Sequence, residues 1–186
     1  MDRERNAVSL TYTLEFSYGS GIVVTGAGFL LNNEMGDFNA GPGLTNDQGL
    51  IGTPANLAEP GKRMLSSMTP TILEKDGELF MVTGTPGGRT IINTVMQKIL
   101  NVVDHEMNAQ AAVDAGRIHH QWMPDQISYE RHGFSPDTLM ELERRGHALN
   151  ERSNQGSAEV IIHRIEEGLL EGGVDRRVPD GGVATW

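Results

Sequence analysis

The sequence of 186 residues contains no cysteine. Disulfide bonds, thiol nucleophiles and cysteine-ligated zinc sites are therefore excluded. Aromatic residues make up only 5% of the chain, and no apolar run approaches the roughly 18 residues that a membrane-spanning helix needs. No basic start followed by an apolar stretch marks a signal peptide. Covalent cross-links, thiol chemistry and a helical membrane span are thus not expected.

Positive charge is also scarce: the sequence has 15 Lys and Arg but 25 Asp and Glu, which gives a net charge of −10. Binding to a nucleic-acid backbone requires a basic face, so this function class is disfavoured. A composition of 38% hydrophobic and 22% charged residues is ordinary for a globular protein. We predict one domain, residues 1–186, because the length matches a typical single domain.

Patterns of apolar residues predict a mixed α+β chain. Strands are predicted over 6–14, over 21–24 with 28–31 as a hairpin, over 70–73 with 79–82 as a hairpin, and over 158–165 with 168–174 as a last hairpin. Asp76-Gly77 is a strong hairpin-turn signal. A helix should follow residue 88, and a shorter one should occupy about 108–115. Ser135-Pro136 marks the start of another helix, with Gly146 after its end.

Residues 39–62 show no convincing period and are rich in Gly, Pro and Asn. A loop of this length within a compact domain is typically either a functional lid or disordered. We therefore predict a lid-like loop over about 39–62.

The run GTPGG at 84–88 lies where a strand should pass into a helix. Adjacent glycines Gly87 and Gly88 leave backbone N–H groups uncovered, and the helix N-terminus adds positive potential, so the run could hold an anion or a developing oxyanion. A phosphate loop is disfavoured because the Gly-Lys-Ser/Thr ending is absent. A simple tight turn is an equally valid interpretation.

Other polar residues allow two interpretations each. Ser66 and Ser67 are ordinary turn serines or hydroxyls that bind a substrate carboxylate, since no nucleophile motif surrounds them. Glu34 and Asp37 are solvated loop acids or the partners of a substrate ammonium group. The pair His119-His120 is a poor metal site, because neighbours on a strand point to opposite faces. No metal or other cofactor is expected.

Seven short motifs follow one another along nearly the whole chain. They are NAVSLTYTL at 6–14, LLNNEMGDF at 30–38, RMLSSMTPT at 63–71, GTPGG at 84–88, RIHHQWMPD at 117–125, GFSP at 133–136 and GVDRR at 173–177. Together and in this order they resemble the small subunit of gamma-glutamyltranspeptidases, which are N-terminal-nucleophile hydrolases. The resemblance implies an αββα sandwich, of which this chain would form only the small-subunit part.

The resemblance also implies a reaction. In this family a precursor cuts itself, and the new N-terminal Thr attacks a gamma-glutamyl amide such as glutathione. The acyl-enzyme then passes the glutamyl group to water or to an amino acid. The Thr works because its own α-amino group has a pKa near neutrality and acts as the base.

The roles implied by the resemblance fall on eight residues. Thr13 would be the second Thr, whose hydroxyl orients the nucleophile, and Gly87 with Gly88 would form the oxyanion hole. Ser66 and Ser67 would bind the substrate α-carboxylate through their hydroxyl groups. Glu15, Glu34 and Asp37 would surround the substrate α-ammonium group.

Three departures from the family pattern stand out. Glu15 and Glu34 occupy positions where the family often has amides, so they add negative charge near the ammonium. Gln48 replaces the aromatic lid residue of some bacterial members. The nucleophilic Thr is expected a few residues upstream of Asp2, and an Arg for the α-carboxylate is expected from a large subunit; neither is in this chain.

These departures lead to the hypothesis of an N-terminally truncated small subunit that is inactive alone and that would expose apolar surface and form oligomers. A large-subunit partner is expected, and the family suggests a periplasmic or extracellular location. Two alternatives remain: a non-catalytic protein that binds gamma-glutamyl compounds or amino acids, and a related acylase that cleaves another amide.

Overall fold

The computed structural model describes residues 1–39, 41, 43, 52–179 and 181–184. Seven strands and three α-helices are seen in these ranges, with two short 3-10 helices at Glu34–Asp37 and Pro54–Asn56. In chain order they are β1 Thr71–Lys75, β2 Glu78–Gly84, α1 Thr90–Val103, α2 Ala109–Asp114, β3 Ile118–His119, β4 Ile127–Glu130, α3 Pro136–Arg144, β5 Leu149–Arg152, β6 Glu159–Arg164 and β7 Leu169–Val174. No helix among the described residues is both long and apolar enough to cross a bilayer.

The chain divides into two compact units. We call Met1–Thr11 with Met68–Trp186 the sheet unit, and Tyr12–Ser67 the loop unit. All strands and α-helices named above belong to the sheet unit, whereas both 3-10 helices belong to the loop unit. The two units are therefore built on different principles, and each is described separately.

The sheet unit centres on a four-stranded antiparallel sheet with the order β1-β2-β6-β7. Asp76 and Gly77 both have positive φ, 54° and 84°, as the primed turn of a two-residue hairpin requires. The predicted β1–β2 and β6–β7 hairpins are thus confirmed. Met81 and Ile162 are paired across β2 and β6, and both are fully buried in the core together with Val113 of α2.

A second sheet in the same unit has the order β3-β4-β5, with β4 and β5 parallel and connected through α3. The predicted start of α3 is confirmed, since the Ser135 hydroxyl accepts a hydrogen bond from the Thr138 amide at 3.2 Å and Pro136 occupies the first turn. Gly146, with φ of 93°, follows the last turn as expected.

Helix α1 is confirmed, but its buried face is unusual. Ile91, Val95 and Val102 are buried with the fully buried Lys98. Meanwhile Ile92 and Met96 remain about half exposed, at 54% and 50%. Apolar side chains therefore lie on both the buried and the exposed side of α1.

The predicted strand over 6–14 is wrong, since no strand is assigned there. The residues still alternate in exposure: Val8 and Leu10 are each 78% exposed, while Ser9 is turned inward. The Ser9 hydroxyl donates to the Thr83 carbonyl and accepts from the Thr71 amide, at 2.8 and 3.0 Å. In this segment, side-chain hydrogen bonds take the place of the backbone hydrogen bonds of a paired strand. A high β-propensity alone does not provide a strand to pair with.

In the loop unit, the hairpin predicted over 21–31 is reduced to a single antiparallel bridge between Val23 and Leu30. Two backbone bonds flank it, from Val24 to Phe29 and from Leu31 to Ile22. Of the predicted lid-like loop, Pro54–Asn56 forms a 3-10 turn. Residues 40, 42 and 44–51, including the predicted departure at Gln48, lie outside the described residues.

Candidate functional site

Three acids converge in the loop unit. Glu34 and Asp37 are the two ends of one 3-10 turn. Glu15 reaches the same turn, because a Cβ placed on Gly36 would collide with both oxygens of the Glu15 carboxylate. Only a glycine at position 36 therefore permits this approach. The structure thus brings together the three acids that the resemblance assigned to the substrate ammonium.

The electrostatics of this acid cluster favour a cationic ligand. Oε2 of Glu15 and Oε1 of Glu34 are both buried and have no hydrogen-bond partner among the residues that the structure describes. Burial raises the pKa of Glu15, and the nearby carboxylates of Asp37 and Glu34 raise it further. A buried acceptor without a donor is costly, and an ammonium group would supply both the donor and the compensating charge.

Thr13 shapes the backbone at the acid cluster. Its hydroxyl accepts a hydrogen bond from the Glu15 amide at 2.8 Å, which is a local turn of the Ser/Thr type. Glu15 itself has a φ of 71°, in the left-handed region that non-glycine residues adopt at a cost. The structure therefore shows a role for Thr13 in holding Glu15. Its implied role beside a nucleophile stays a prediction.

Asn56 is a residue that the sequence analysis missed. It is 7% exposed, its amide donates to the Asp37 carbonyl at 2.7 Å, and its carbonyl oxygen accepts from the Leu65 amide at 2.9 Å. One buried side chain thus links the backbone beside the acid cluster to the backbone that leads into Ser66. A lone Asn in a Gly- and Pro-rich loop gave no signal of this.

Ser66 is exposed and Ser67 is half-buried at the end of the loop unit. They follow directly on the Leu65 amide that Asn56 holds. A serine hydroxyl can donate to a carboxylate, so the pair keeps the chemistry expected for binding a substrate anion. The two Asn56 hydrogen bonds connect the backbone directly before this pair to the backbone beside the acid cluster.

The glycine loop of the sheet unit joins β2 to α1. Gly87 has a φ of 142° and Gly88 one of 57°, so both require glycine on backbone grounds. The Gly87 carbonyl accepts from the Thr90 amide at 3.2 Å and from the Thr90 hydroxyl at 2.9 Å. The predicted strand-to-helix position of this loop is therefore confirmed, with the positive end of α1 beside it.

The two adjacent histidines do not share a partner. Nε2 of His119 lies 2.9 Å from the Gln121 side chain, whereas Nε2 of His120 lies 3.1 Å from Asp125. Within the described ranges, no three His, Asp or Glu side chains are grouped as metal ligands. Each histidine therefore has a polar partner of its own in this structure.

Comparison with known proteins gives a consistent result. The family model for gamma-glutamyltranspeptidase matches residues 1–185. The glutathione hydrolase proenzymes of Escherichia coli and Pseudomonas aeruginosa are 47% and 44% identical over 100% and 95% of this chain. The matches cover 32% of either relative, so the chain spans about a third of the length of these curated relatives.

Solved structures agree with the sequence relatives. A mutant gamma-glutamyltranspeptidase from Helicobacter pylori has a TM-score of 0.90 at 44% identity, over 96% of this chain and 97% of that one. The transpeptidase CapD of Bacillus anthracis has a TM-score of 0.73 at 26% identity, over 100% and 96%. The predicted α+β fold, that of the small-subunit part of an αββα N-terminal-nucleophile hydrolase, is thereby confirmed.

Proposed function

Because the chain belongs to the gamma-glutamyltranspeptidase family, we propose that it is the small-subunit part of an enzyme that hydrolyses or transfers gamma-glutamyl groups. The acid cluster of Glu15, Glu34 and Asp37 is the observation that carries this proposal. Within it, Oε2 of Glu15 and Oε1 of Glu34 are buried without a donor among the described residues, which suits the α-ammonium of a gamma-glutamyl substrate such as glutathione.

The remaining groups have complementary tasks in the proposed reaction. Ser66 and Ser67 bind the α-carboxylate, while the amides of Gly87 and Gly88 stabilise the oxyanion that forms on the γ-carbonyl. A Thr hydroxyl attacks that carbonyl, the amine leaves with a proton, and a glutamyl–Thr ester remains. Water or an amino acid then attacks the ester and regenerates the Thr hydroxyl.

We propose that the attacking Thr precedes this chain and that a large subunit completes the substrate site with an Arg. The relatives of this chain are proenzymes about three times as long. The sheet unit also exposes large apolar side chains, among them Leu10 at 78% and Met96 at 50%. Apolar faces of this kind are typical of surfaces that pack against a partner.

The proposal is tested by comparing the purified chain with the proenzyme that carries it behind an upstream segment. Gamma-glutamyl-p-nitroanilide should be turned over by the processed proenzyme, and not by the chain alone. Turnover by the chain alone that is abolished by Thr13→Ala would overturn the proposal that the attacking Thr lies outside this chain. The variant Asp37→Asn should raise KM more than it lowers kcat, because it weakens ammonium binding in ground and transition state alike.

The same proteins can be used to distinguish two alternative functions. A non-catalytic binding protein would release heat with glutamate in a calorimeter, yet no assembled form would turn over an amide. A related acylase would cleave glutaryl-p-nitroanilide, which differs from the glutamyl compound only in lacking the α-ammonium. A cephalosporin acylase from Bacillus halodurans, 29% identical with a TM-score of 0.78, makes this comparison relevant. The acid cluster predicts a strong preference for the glutamyl compound.

A further inference from the structure

The glycine loop at Gly87 is held from one side by a neighbouring backbone segment, residues 155–158. The Cα of Gly156 would lie only 3.2 Å from a Cβ on Gly87. Conversely, a Cβ on Gly156 would lie 2.6 Å from the Thr85 hydroxyl and 2.8 Å from the Pro86 carbonyl. Gly156 also has a φ of 71°. Two backbones thus touch at a place where neither tolerates a side chain.

The Thr85 hydroxyl links these two backbones. It accepts a hydrogen bond from the Ser157 amide at 3.0 Å and donates one to the Pro86 carbonyl at 2.7 Å. Pro86 precedes Gly87 directly, so the hydroxyl fixes the peptide plane that leads into the glycine loop. Thr85 is 3% exposed, which keeps water from competing for either bond.

A buried charge network fixes segment 155–158 in turn. The Arg117 guanidinium donates to the Gln155 carbonyl and to the Asp175 carboxylate, and all of Arg117 is buried. The Glu130 carboxylate accepts from the Gln155 amide at 2.8 Å, and Asp175 accepts from the Ala158 amide at 2.8 Å. The residues on both sides of Gly156 are therefore anchored to groups inside the protein.

We propose that Thr85 is a positioning residue for the oxyanion hole, which transmits the fixed geometry of segment 155–158 to the amides of Gly87 and Gly88. The proposal rests on the function proposed above. An oxyanion hole is effective only if its donors are already aimed at the developing charge, so their placement controls the chemical step. A change in this placement should therefore act on kcat rather than on ground-state binding.

The test compares Thr85→Val with Thr83→Val in the complete proenzyme. The two residues are nearly equally buried, at 3% and 2%, and the hydroxyl of Thr83 donates to the Glu159 carbonyl at 2.9 Å. Each variant thus removes one buried hydroxyl, in β2 or directly after it, without changing the side-chain shape. The Thr85 hydroxyl bonds to the Pro86 carbonyl in the glycine loop, whereas the Thr83 hydroxyl bonds to Glu159, so Thr83→Val is the control for lost stability.

We expect Thr85→Val to lower kcat about tenfold, less than the 10²–10³ that follows loss of an oxyanion donor, with KM within about twofold of the wild type. Thr85→Ser should restore kcat, because it keeps the hydroxyl. Thr83→Val should leave both constants unchanged. If Thr85→Val and Thr83→Val behave alike, or if Thr85→Ser fails to rescue, the positioning role is refuted.

A second measurement does not require turnover. The purified 186-residue chain has three Pro-Gly pairs, at 42–43, 60–61 and 86–87, so in this chain carbonyl-labelled proline with 15N-labelled glycine isolates the Gly87 amide signal among three. Thr85→Val should shift this signal, and Thr83→Val should leave it in place. An unchanged Gly87 signal would overturn the inference. A shifted Gly87 signal in the chain, together with a complete proenzyme that has no activity, would instead refute the proposed function.

Discussion

The two clusters of acids in this protein have opposite electrostatics. In the sheet unit, burial alone would raise the pKa of Asp175, but hydrogen bonds from the Arg177 and Ala158 amides and from Arg117 outweigh it, and the pKa is lowered. In the loop unit, burial raises the pKa of Glu15, and the neighbouring carboxylates add to the effect. The Asp175 carboxylate is thus compensated by donors inside the chain, whereas Oε2 of Glu15 and Oε1 of Glu34 have no donor among the described residues.

This difference distinguishes carboxylates that stabilise the fold from carboxylates that are available to a ligand. Glu130 accepts two hydrogen bonds from the Arg177 guanidinium, at 2.9 and 2.7 Å, besides its two backbone donors. The acid cluster holds buried oxygens on Glu15 and Glu34 that have no donor. A buried acceptor without a donor is costly, so these two oxygens favour a ligand that supplies a donor.

The units also differ in what fills their interior. Every buried apolar side chain of the described residues lies in the sheet unit, whereas the buried side chains of the loop unit are those of Asn39 and Asn56. Asn39 donates to the Thr53 carbonyl at 2.9 Å, much as Asn56 does to Asp37. The loop unit is thus organised by directional hydrogen bonds, which hold a binding site in a defined shape.

The largest expected effect comes from breaking the compensated cluster. Asp175→Asn leaves the Arg117 guanidinium buried without its ion-pair partner, which should cost about 3–5 kcal/mol of the free energy of unfolding. Asp114→Asn is the matched control. The Asp114 side chain is 36% exposed and lies 3.5 Å from Arg176, so losing this exposed ion pair should lower the free energy of unfolding by less than about 1 kcal/mol. Urea denaturation measures both, and equal losses would contradict the comparison.

Lys98 allows the same cluster to be tested through pH. Burial, with Arg117 and Arg177 nearby, lowers the pKa of Lys98 to about 7, although its ammonium donates to the Ala112 carbonyl at 2.8 Å. Above pH 7 the folded state releases a proton that the unfolded state keeps up to about pH 10.5, so stability rises with pH. The carbonyl bond favours the charged form and limits the gain.

Relative to Lys98→Met, the free energy of unfolding of the wild type should therefore increase by about 1–2 kcal/mol between pH 7 and pH 9. Groups common to both proteins cancel in this difference, so thermal or urea unfolding at several pH values isolates Lys98. Parallel stability curves for the two proteins would show that the buried ammonium keeps an ordinary pKa.

Local signals predicted much of the sheet unit, and long-range partners account for what they missed. The Asp76-Gly77 turn and the Ser135 cap are encoded within a few residues, so their elements were predictable. Segment 6–14 has the composition of a strand, but pairing depends on distant chain that composition does not reveal. Likewise Arg117 and Asp175 are 58 residues apart, so no local sequence pattern predicts their ion pair.

The candidate site shows the same limit. Glu15, Glu34 and Asp37 were found through family motifs, and the structure shows that Gly36 is what lets Glu15 reach the other two. Asn56 and Thr85 were missed because their tasks are carried by hydrogen bonds to backbone groups at 19 and 72 residues' distance. Motifs identify groups that touch a ligand more readily than groups that hold those groups in place.

The smallest expected effect concerns the acid cluster of Glu15, Glu34 and Asp37. Glu15→Asn should stabilise the chain by about 1 kcal/mol, because Asn adopts a φ near 71° more readily than Glu does. The variant also removes a carboxylate whose pKa is raised in the folded state. Such a group binds its proton more tightly when folded, so the wild type gains stability as pH falls from 7 towards its unfolded pKa near 4.5.

The stability difference between Glu15→Asn and the wild type should therefore be greatest near pH 7 and decrease towards pH 5, as followed by thermal unfolding. Glu34→Gln is the matched control, since it also removes one charge from the acid cluster but does not change a residue of positive φ. At pH 5, where the charge contribution has decreased, Glu15→Asn should remain more stable than Glu34→Gln. Equal stabilities there would mean that the backbone at Glu15 carries no strain, and that charge alone distinguishes this cluster from the compensated one.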